Sequence, residues 1–185
     1  MTAWRRIEGY GIVSADGMIA DAEGKMPDAL RNDADQHFLQ SGLDQAAVVV
    51  HGRHSHEGGA RAAQRTRLVL TNRIVAIAPD PAHPNSLLWN PRGASLEQAV
   101  KALNVTPGTI AVIGGTAVFS LFLPLYDAFH LSRAAHARIP GGRPLFADAV
   151  PPTTPEDVLA RCGLRPGPRR DLDAAAGISV VSWQR

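Results

Sequence analysis

Three short apolar runs, separated by segments of helical character, constrain the fold of this chain most. They are residues 46–50 (AAVVV), 67–71 (RLVLT) and 109–113 (TIAVI). Continuous runs of this kind are typical of strands buried on both faces of a parallel sheet. Helices are predicted over about 33–43 and 95–103, the second from the capping-box spacing of Ser95 and Gln98. Strands that alternate with helices indicate an α/β fold with a mostly parallel sheet.

The remaining chain adds strands, loops and one short helix. We predict a first strand over about 7–14, a long polar loop over 17–32 and a short helix over 116–124. A further strand is predicted over 126–133 and a turn-rich connection over 140–155, and the segments 160–166 and 177–184 form a C-terminal antiparallel hairpin. A polar loop as long as the one predicted here is often functional. We expect all 185 residues to form a single domain.

Composition excludes several classes of protein. Cys162 is the only cysteine, so neither an intramolecular disulfide nor a cysteine-based zinc cluster is expected. The first residues lack the apolar run of a signal peptide, and no segment is long and apolar enough for a membrane span. The net charge of +2 is too small for a strong basic field. We therefore expect a soluble cytoplasmic protein that binds neither membrane nor nucleic acid, as a monomer or homodimer.

Small, hydroxyl or guanidinium residues follow each of the three apolar runs. Gly52-Arg53 comes after the first, Thr71-Asn72 after the second and Gly114-Gly115 after the third. Open α/β sheets bind ligands at the carboxyl ends of their strands, and a diglycine lets backbone approach a phosphate closely. The chain lacks the dinucleotide fingerprint G-x-G-x-x-G, and a tight turn without ligand is the alternative explanation of the diglycine. Together, the three strand ends favour an anionic nucleotide.

A series of motifs in this order resembles the dihydrofolate reductase superfamily, which also includes the reductase domain of riboflavin biosynthesis. The motifs are IVSADGMIA at 12–20, MPDALRND at 26–33, VVVHGRH at 48–54, RTRLVLT at 65–71, IGGTAVFSLFLP at 113–124 and YDAFHLSR at 126–133. The resemblance implies a mostly parallel central sheet flanked by helices, with a C-terminal antiparallel hairpin. It also implies that the polar loop after the first strand covers the active site as a lid.

The resemblance implies NADPH as the cofactor. By position, the residues that would contact it after the strand ends are Gly52, Arg53, His54, Thr71, Asn72, Ile113, Gly114, Gly115, Thr116 and Ala117. The lid would add backbone from Ile12 and Ile19. Arg53 would favour the additional phosphate of NADPH over NADH.

The same resemblance implies the substrate residues. Counted from Met26-Pro27, Asp33 matches the carboxylate that binds and activates a pterin, and Asp35 is the alternative if the register slips by two residues. A carboxylate accepts the paired amino and ring N–H donors of a pterin. Ser132 would support the acid, Phe38 would lie against the substrate, and Arg65 would pair with a glutamate tail.

Three features leave the substrate open. Asp28 stands where the family has a large apolar residue, and Phe119 stands near the family's tyrosine or phenylalanine after the diglycine. GGRPLF at 141–146 resembles the riboflavin-pathway reductases more than the folate reductases. We therefore predict an NADPH-dependent reductase of a dihydropterin such as dihydrofolate. The alternative is reduction of a ribosylamino-pyrimidine or another small imine or carbonyl, and a third hypothesis is a non-catalytic nucleotide-binding protein.

Histidines suggest one competing site. His51, His54 and His56 lie within six residues and could attract a metal. A strand end that turns into a helix would point them in different directions, so we expect no metal.

Overall fold

The computed structural model describes residues 4–55 and 58–185. Its strands in chain order are β1 (Arg6–Ser14), β2 (Met18–Ala20), β3 (Val48–Gly52), β4 (Arg67–Leu70), β5 (Ile77–Pro79), β6 (Ser86–Trp89), β7 (Thr109–Val112), β8 (Ala128–Ala134), β9 (Arg143–Pro144), β10 (Arg165–Asp173) and β11 (Ile178–Gln184). Nine of these strands form one sheet in the order β10-β11-β8-β1-β7-β3-β4-β6-β5, and β2 pairs with β9 separately.

The helices connect these strands across both faces of the large sheet. They are α1 (Asp33–Gln45), α2 (Leu96–Ala102), α3 (Thr116–Phe122) and α4 (Pro155–Arg161), with 3-10 helices at Asp28–Leu30, Ala62–Gln64 and Leu123–Leu125. Within the described ranges, no helix has the length and apolar character needed to cross a membrane. The capping box predicted for Ser95 and Gln98 is confirmed at the start of α2.

Strand directions confirm the predicted architecture. β8, β1, β7, β3, β4 and β6 run parallel to their neighbours in that series, whereas β5, β10 and β11 pair antiparallel. The C-terminal hairpin of β10 and β11 joins the sheet along β8. The fold is therefore an α/β sheet, mostly parallel at its centre, with an antiparallel hairpin at one edge.

Side chains of successive strand residues divide between two cores. Val48 and Val50 of β3 join the larger core, which includes residues of α2, α3 and α4, whereas Val49 packs with Leu43 of α1. This alternation follows from the period of two residues in a strand. Burial of each such side chain contributes roughly 1.5–3 kcal/mol. Helix α1 therefore covers one face of the sheet, and the other three helices cover the opposite face.

Helix α1 starts one residue after its cap, Asn32. The Asn32 side-chain oxygen accepts from the backbone N–H groups of Ala34 and Asp35, at 2.9 and 3.2 Å. Asn32, a residue type preferred at this position, is therefore the N-cap, and Asp33 is the first helical residue. This choice determines which acidic residue of the first turn faces the sheet.

The predicted strand at 160–166 is wrong in its position. Helix α4 occupies the first part of that segment, and the strand begins only at Arg165. Thr154 and Asp157 form a capping box with Pro155 at the first helical position, and Gly163 adopts φ +84° just after the helix. These are recognised start and stop signals of a helix, and they identify α4 in the sequence.

The segment 17–32, which was predicted to be a loop, contains some regular secondary structure. It contains β2 and the 3-10 helix at Asp28–Leu30, and β2 pairs with β9. Two-residue and three-residue strands such as these have too few residues to show a period in the sequence. The three-residue strand β5 was missed for the same reason. The strand β6 was also missed, although its four residues are as many as those of β4 and β7.

Candidate functional site

The carboxyl ends of β3, β4 and β7 meet at one edge of the sheet. Gly52 at the end of β3 donates its N–H to the carbonyl of Gly114 after β7, at 2.8 Å. Ile113 donates its N–H to Val50 in β3, at 3.0 Å, which extends the pairing of the two strands. We call the surface formed by Gly52, Gly114 and Gly115 the glycine edge. The structure brings together the strand ends that the sequence selected.

Each glycine of the pair after β7 has a different reason to be glycine. Gly114 has φ +104°, and a Cβ on it would lie 2.6 Å from Cε2 of buried Phe119. Gly115 has φ −77°, and among the described residues a Cβ there would meet Ser55 Oγ alone, at 4.0 Å. The peptide bond between them is cis. Gly114 is therefore required by packing and backbone conformation, whereas no described residue crowds Gly115.

The segment after β3 adds polar groups to the glycine edge. The Arg53 guanidinium is partly buried and lies 3.0 Å from Nε2 of His54, which is exposed. Ser55 donates its N–H to the carbonyl of Gly52 at 2.9 Å, which turns the chain back towards Gly115. Sequence reasoning missed Ser55, although it lies only two residues beyond Arg53.

The segment after β4 is a turn. Thr71 donates its N–H to Trp89 at 2.9 Å, and its hydroxyl accepts from the N–H of Arg73 at 3.2 Å. Asn72 is exposed at the tip of this turn. Thr71 therefore stabilises the turn, and the exposed Asn72 lies at the same edge of the sheet.

The start of α3 connects the glycine edge to the lid. The Thr116 hydroxyl donates to the carbonyl of Pro144 in β9 at 2.5 Å, while the neighbouring Ala117 is exposed. Arg143, also in β9, donates two hydrogen bonds to the carbonyl of Ala22 in the predicted lid, at 3.1 and 3.0 Å. The Thr116 side chain therefore links α3 to β9, and the Thr116 backbone faces the glycine edge.

Both isoleucines whose backbone was predicted to contact the cofactor, Ile12 and Ile19, pack into the protein. Ile12 near the end of β1 is buried with Met18 and Leu30, and Ile19 in β2 packs against the larger core. These apolar contacts hold the lid against the sheet. Any contact of the two residues with a cofactor would therefore come from their backbone, as the family resemblance implies.

The acid that faces the sheet is Asp35. Asp35 is 9% exposed, and the hydroxyl of Ser132 in β8 lies near enough to its carboxylate to lower its pKa. Asp33 is exposed in the first turn of α1. Positions two apart on a helix point about 200° away from each other, so only one of the two can face the sheet. Ser132 thus supports Asp35, the alternative, and not Asp33.

Burial changes the protonation of this acid. Removal from water raises the pKa of Asp35 above its ordinary value, and the hydrogen bond from Ser132 opposes part of that shift. Ser132 pairs with Ile12 of β1, and β1 lies between β8 and β7 in the sheet. The acid therefore lies beneath α1, two strands from the strand that carries the diglycine.

A polar network lies beside Asp35 on the same face. Glu8 accepts from Tyr10 Oη at 2.8 Å and from Arg6 Nε at 2.5 Å, and His130 Nε2 lies 3.5 Å away. The hydrogen bond from His130 is the largest cause that lowers the pKa of Glu8 to about 2, against the opposing effect of burial. Ser182 is 2.8 Å from Nδ1 of His130. His130 therefore contacts Glu8 through one ring nitrogen and Ser182 through the other.

Phe38 lies between this network and the C-terminal hairpin. Its ring centroid is 6.1 Å from that of Tyr10 and 5.6 Å from that of His130. The Arg170 guanidinium lies over the ring, 5.0 Å from its centroid. Phe38 also lines a shallow cavity of about 680 Å³ between α1 and β10, together with Asp33 and other residues. Its ring therefore already has partners within the protein.

Arg65 is held by α1. It is 8% exposed, and its Nη2 donates to Gln40 Oε1 and to Asp44 Oδ1, both at 2.6 Å. Arg65 is therefore neither a solvated surface group nor a group that is open to a ligand. The guanidinium fastens the start of β4 to the last turns of α1.

The histidines of the metal hypothesis are only partly covered by the structure. His51 is buried, with Nε2 3.3 Å from Arg67 Nη1 and Nδ1 2.9 Å from the carbonyl of Gly52, whereas His54 is exposed. His56 and Glu57 lie outside the described residues. The residues that are described include no group of three or more histidine, cysteine or acidic side chains that could hold a metal ion.

Solved structures share this fold over nearly the whole chain. A protein of Shewanella sp. PV-4 named for riboflavin biosynthesis has a TM-score of 0.65 and 19% identity, over 98% of this chain and 99% of that one. Dihydrofolate reductase from Enterococcus faecalis, in complex with NADP(H), has a TM-score of 0.63 and 17% identity, over 97% and 96% of the two chains.

A third neighbour is a longer protein. RibD from Acinetobacter baumannii has a TM-score of 0.64 and 17% identity over 99% of this chain, which spans 58% of the RibD chain. No family model matches the chain, and no curated protein matches its sequence. At these identities the likeness shows the fold alone. The fold is that of the dihydrofolate reductases and of the reductases of riboflavin biosynthesis, as the motifs predicted.

Proposed function

We propose that this protein is an NADPH-dependent reductase of a dihydropterin such as dihydrofolate. The observation that carries the proposal is the buried Asp35–Ser132 pair, two strands from the strand that ends in Gly114-Gly115. The shared fold with an NADP(H)-bound dihydrofolate reductase supports a nicotinamide cofactor. A buried acid beside an open glycine edge provides one place for a basic heterocycle and another for a phosphorylated nucleotide.

The glycine edge fits such a cofactor. A Cβ on Gly115 would meet one atom of the described residues within 4.0 Å, and Arg53 lies just beyond the adjacent strand end. Backbone from Gly114 to Ala117, the side chain of Ser55 and the turn at Thr71-Asn72 would hold its phosphates and sugars. A bound reduced nicotinamide supplies a hydride. Arg53 would select the additional phosphate of NADPH, because a guanidinium binds phosphate oxygens in bidentate fashion.

Asp35 takes the substrate role in place of Asp33. Its carboxylate has two acceptor oxygens for the paired amino and ring N–H donors of a pterin. The neighbouring Ser132 hydroxyl favours the ionised form of the same carboxylate. Burial raises the pKa of Asp35 because its negative charge is poorly compensated inside the protein. A protonated, cationic substrate would supply the compensating charge.

One observation favours the riboflavin-type alternative. Arg65, which the family resemblance assigned to a glutamate tail, is engaged with Gln40 and Asp44 of α1. A substrate without an acidic tail, such as a ribosylamino-pyrimidine, needs no arginine at that position. Two of the structural neighbours are also named for riboflavin biosynthesis.

Oxidation of NADPH in the presence of each substrate tests the proposal. We expect loss of nicotinamide absorbance with dihydrofolate, and faster loss with NADPH than with NADH. Oxidation only with the ribosylamino-pyrimidine would select the alternative substrate. Absence of turnover with every substrate, together with thermal stabilisation by NADPH, would favour a non-catalytic nucleotide-binding protein.

Asp35→Asn and Asp33→Asn form a matched pair for the acid. We expect Asp35→Asn to lower kcat/KM about 100-fold, whereas Asp33→Asn, on the exposed side of α1, changes it less than about threefold. Far-UV circular dichroism of both variants checks that α1 remains folded. The opposite ranking would return the substrate role to Asp33.

A further inference from the structure

The residue that caps helix α1 is itself bonded to the C-terminal hairpin. The side-chain amide of Asn32 donates through Nδ2 to Oδ2 of Asp173 in β10, at 3.0 Å. Its oxygen accepts from the backbone N–H groups of Ala34 and Asp35, at 2.9 and 3.2 Å. The opposite orientation of the amide would place its NH2 group against these two N–H donors. Asp173 therefore favours the one orientation in which Asn32 caps the helix.

Asp173 is held in place by the turn of the hairpin. Its other oxygen, Oδ1, accepts from the N–H of Ala176, which lies between β10 and β11, at 3.0 Å. The hydrogen bond from Asn32 is the largest cause that lowers the pKa of the Asp173 carboxyl. The group is therefore ionised at neutral pH and only accepts hydrogen bonds, so Asn32 meets it with its NH2 group.

Apolar contacts fix the chain just before the helix. Leu30 is fully buried in a cluster with Ile12 of β1 and Ile178 of β11. Such contacts have no direction that would orient a side-chain amide. The orientation of the Asn32 amide therefore depends on the hydrogen bond to Asp173.

We propose that Asp173 is a positioning residue for Asp35. One of the two N–H groups that Asn32 accepts from belongs to Asp35 itself. Through this cap, Asp173 stabilises the helix start that turns Asp35 rather than Asp33 towards the sheet. The proposal rests on the proposed reductase function, in which Asp35 binds the substrate. It gives the C-terminal hairpin a role in the geometry of a site to which it contributes no predicted contact.

The variant Asp173→Asn reverses the polarity of the contact at nearly constant shape. Its remaining oxygen can still accept from Ala176, which leaves an NH2 group against the NH2 group of Asn32. We expect the amide hydrogens of Ala34 and Asp35 to exchange with solvent about fivefold faster, because the cap is weakened. Nuclear magnetic resonance of the ¹⁵N-labelled protein measures these exchange rates.

The variant Asp171→Asn is the matched control. It removes the same charge from the same strand, and exposed Asp171 pairs with Arg169 of β10. Exchange at Ala34 and Asp35 should stay within about twofold of the wild type.

Steady-state kinetics measure the consequence for the site. The substrate is whichever of dihydrofolate and the ribosylamino-pyrimidine the wild type reduces with NADPH. We expect Asp173→Asn to lower kcat/KM about fivefold, and Asp171→Asn to change it less than about twofold.

A second cap residue separates positioning from a general loss of stability. The hydroxyl of a serine cap can rotate to accept from the helix without a partner that orients it. In an Asn32→Ser background, Asp173→Asn should therefore change both the exchange rates and kcat/KM less than about twofold.

Three results would overturn the proposal. They are unchanged exchange in Asp173→Asn, faster exchange with unchanged kcat/KM, and equal effects of Asp173→Asn with and without Asn32→Ser. A wild type that oxidises NADPH with neither substrate would instead overturn the reductase function, and with it the role of Asp35, even where the exchange rates change as expected.

Discussion

At the glycine edge the groups proposed to contact a ligand are mostly backbone, whereas on the face beneath α1 they are side chains. Gly52 and Gly114 bond each other through main-chain atoms, and no described residue crowds Gly115. Beneath α1, Asp35 depends on Ser132, and Glu8 depends on His130. A site built from backbone depends on its glycines but little on the identity of the neighbouring side chains. A site built from side chains depends on which residues of a helix face the sheet.

This difference explains what could be predicted from the sequence. A diglycine after an apolar run marks a strand end by local chemistry, and the structure places Gly114-Gly115 there. Asp35 could not be selected in the same way, because spacing from Met26 does not reveal where α1 begins. The Asn32 cap and the preceding 3-10 helix set that start, and they shift the inward acid by two positions.

Tertiary partners account for the remaining misses. Arg65 has the spacing of a ligand-binding arginine, but its guanidinium forms an ion pair with Asp44 of α1. The strand β2 forms only with β9, more than a hundred residues further along the chain. Neither partner is visible in a local pattern.

The largest effect is expected at the two glycines. Gly114→Ala places Cβ 2.6 Å from buried Phe119 at φ +104°, so we expect a loss of about 3 kcal/mol in the free energy of unfolding. Gly115→Ala meets no close neighbour in the described parts of the chain, and its free energy of unfolding should change by less than about 1 kcal/mol, while NADPH affinity falls. Urea denaturation and NADPH titration measure the two quantities. Equal stability losses would contradict the distinction between packing and open space.

A smaller effect is expected at Glu8, which tests the side-chain network. The pKa of Glu8 is lowered to about 2 in the folded state, so its ionised form stabilises the fold above its unfolded value of 4.5. That contribution is lost as the pH falls from 4.5 towards 2. We expect Glu8→Gln to reduce the free energy of unfolding by about 2 kcal/mol at neutral pH, a value discounted for partial solvent exposure.

Denaturation of wild type and Glu8→Gln across the acid range measures this contribution. The two curves should converge at low pH, where Glu8 is protonated in both states. A difference that does not depend on pH would show that Glu8 acts by packing alone.

The smallest effect is expected at Asp35, and it has the opposite sign. Burial raises the pKa of Asp35, so its ionisation destabilises the folded state as the pH rises above the ordinary carboxyl value. Asp35→Asn should therefore increase the free energy of unfolding by about 1 kcal/mol at neutral pH, with no increase at acidic pH. Thermal denaturation at both pH values measures it. A loss of stability at neutral pH would show that the carboxylate is structural.

The central claim is that the glycine edge binds a nicotinamide cofactor. Amide resonances mapped during a titration with NADPH test it most directly, because they locate the ligand without requiring turnover. The account predicts saturable shifts at Gly52–Ser55, Thr71–Arg73 and Gly114–Ala117, with little change in the C-terminal hairpin. Absence of saturable shifts at the glycine edge, or shifts confined to β10 and β11, would contradict it.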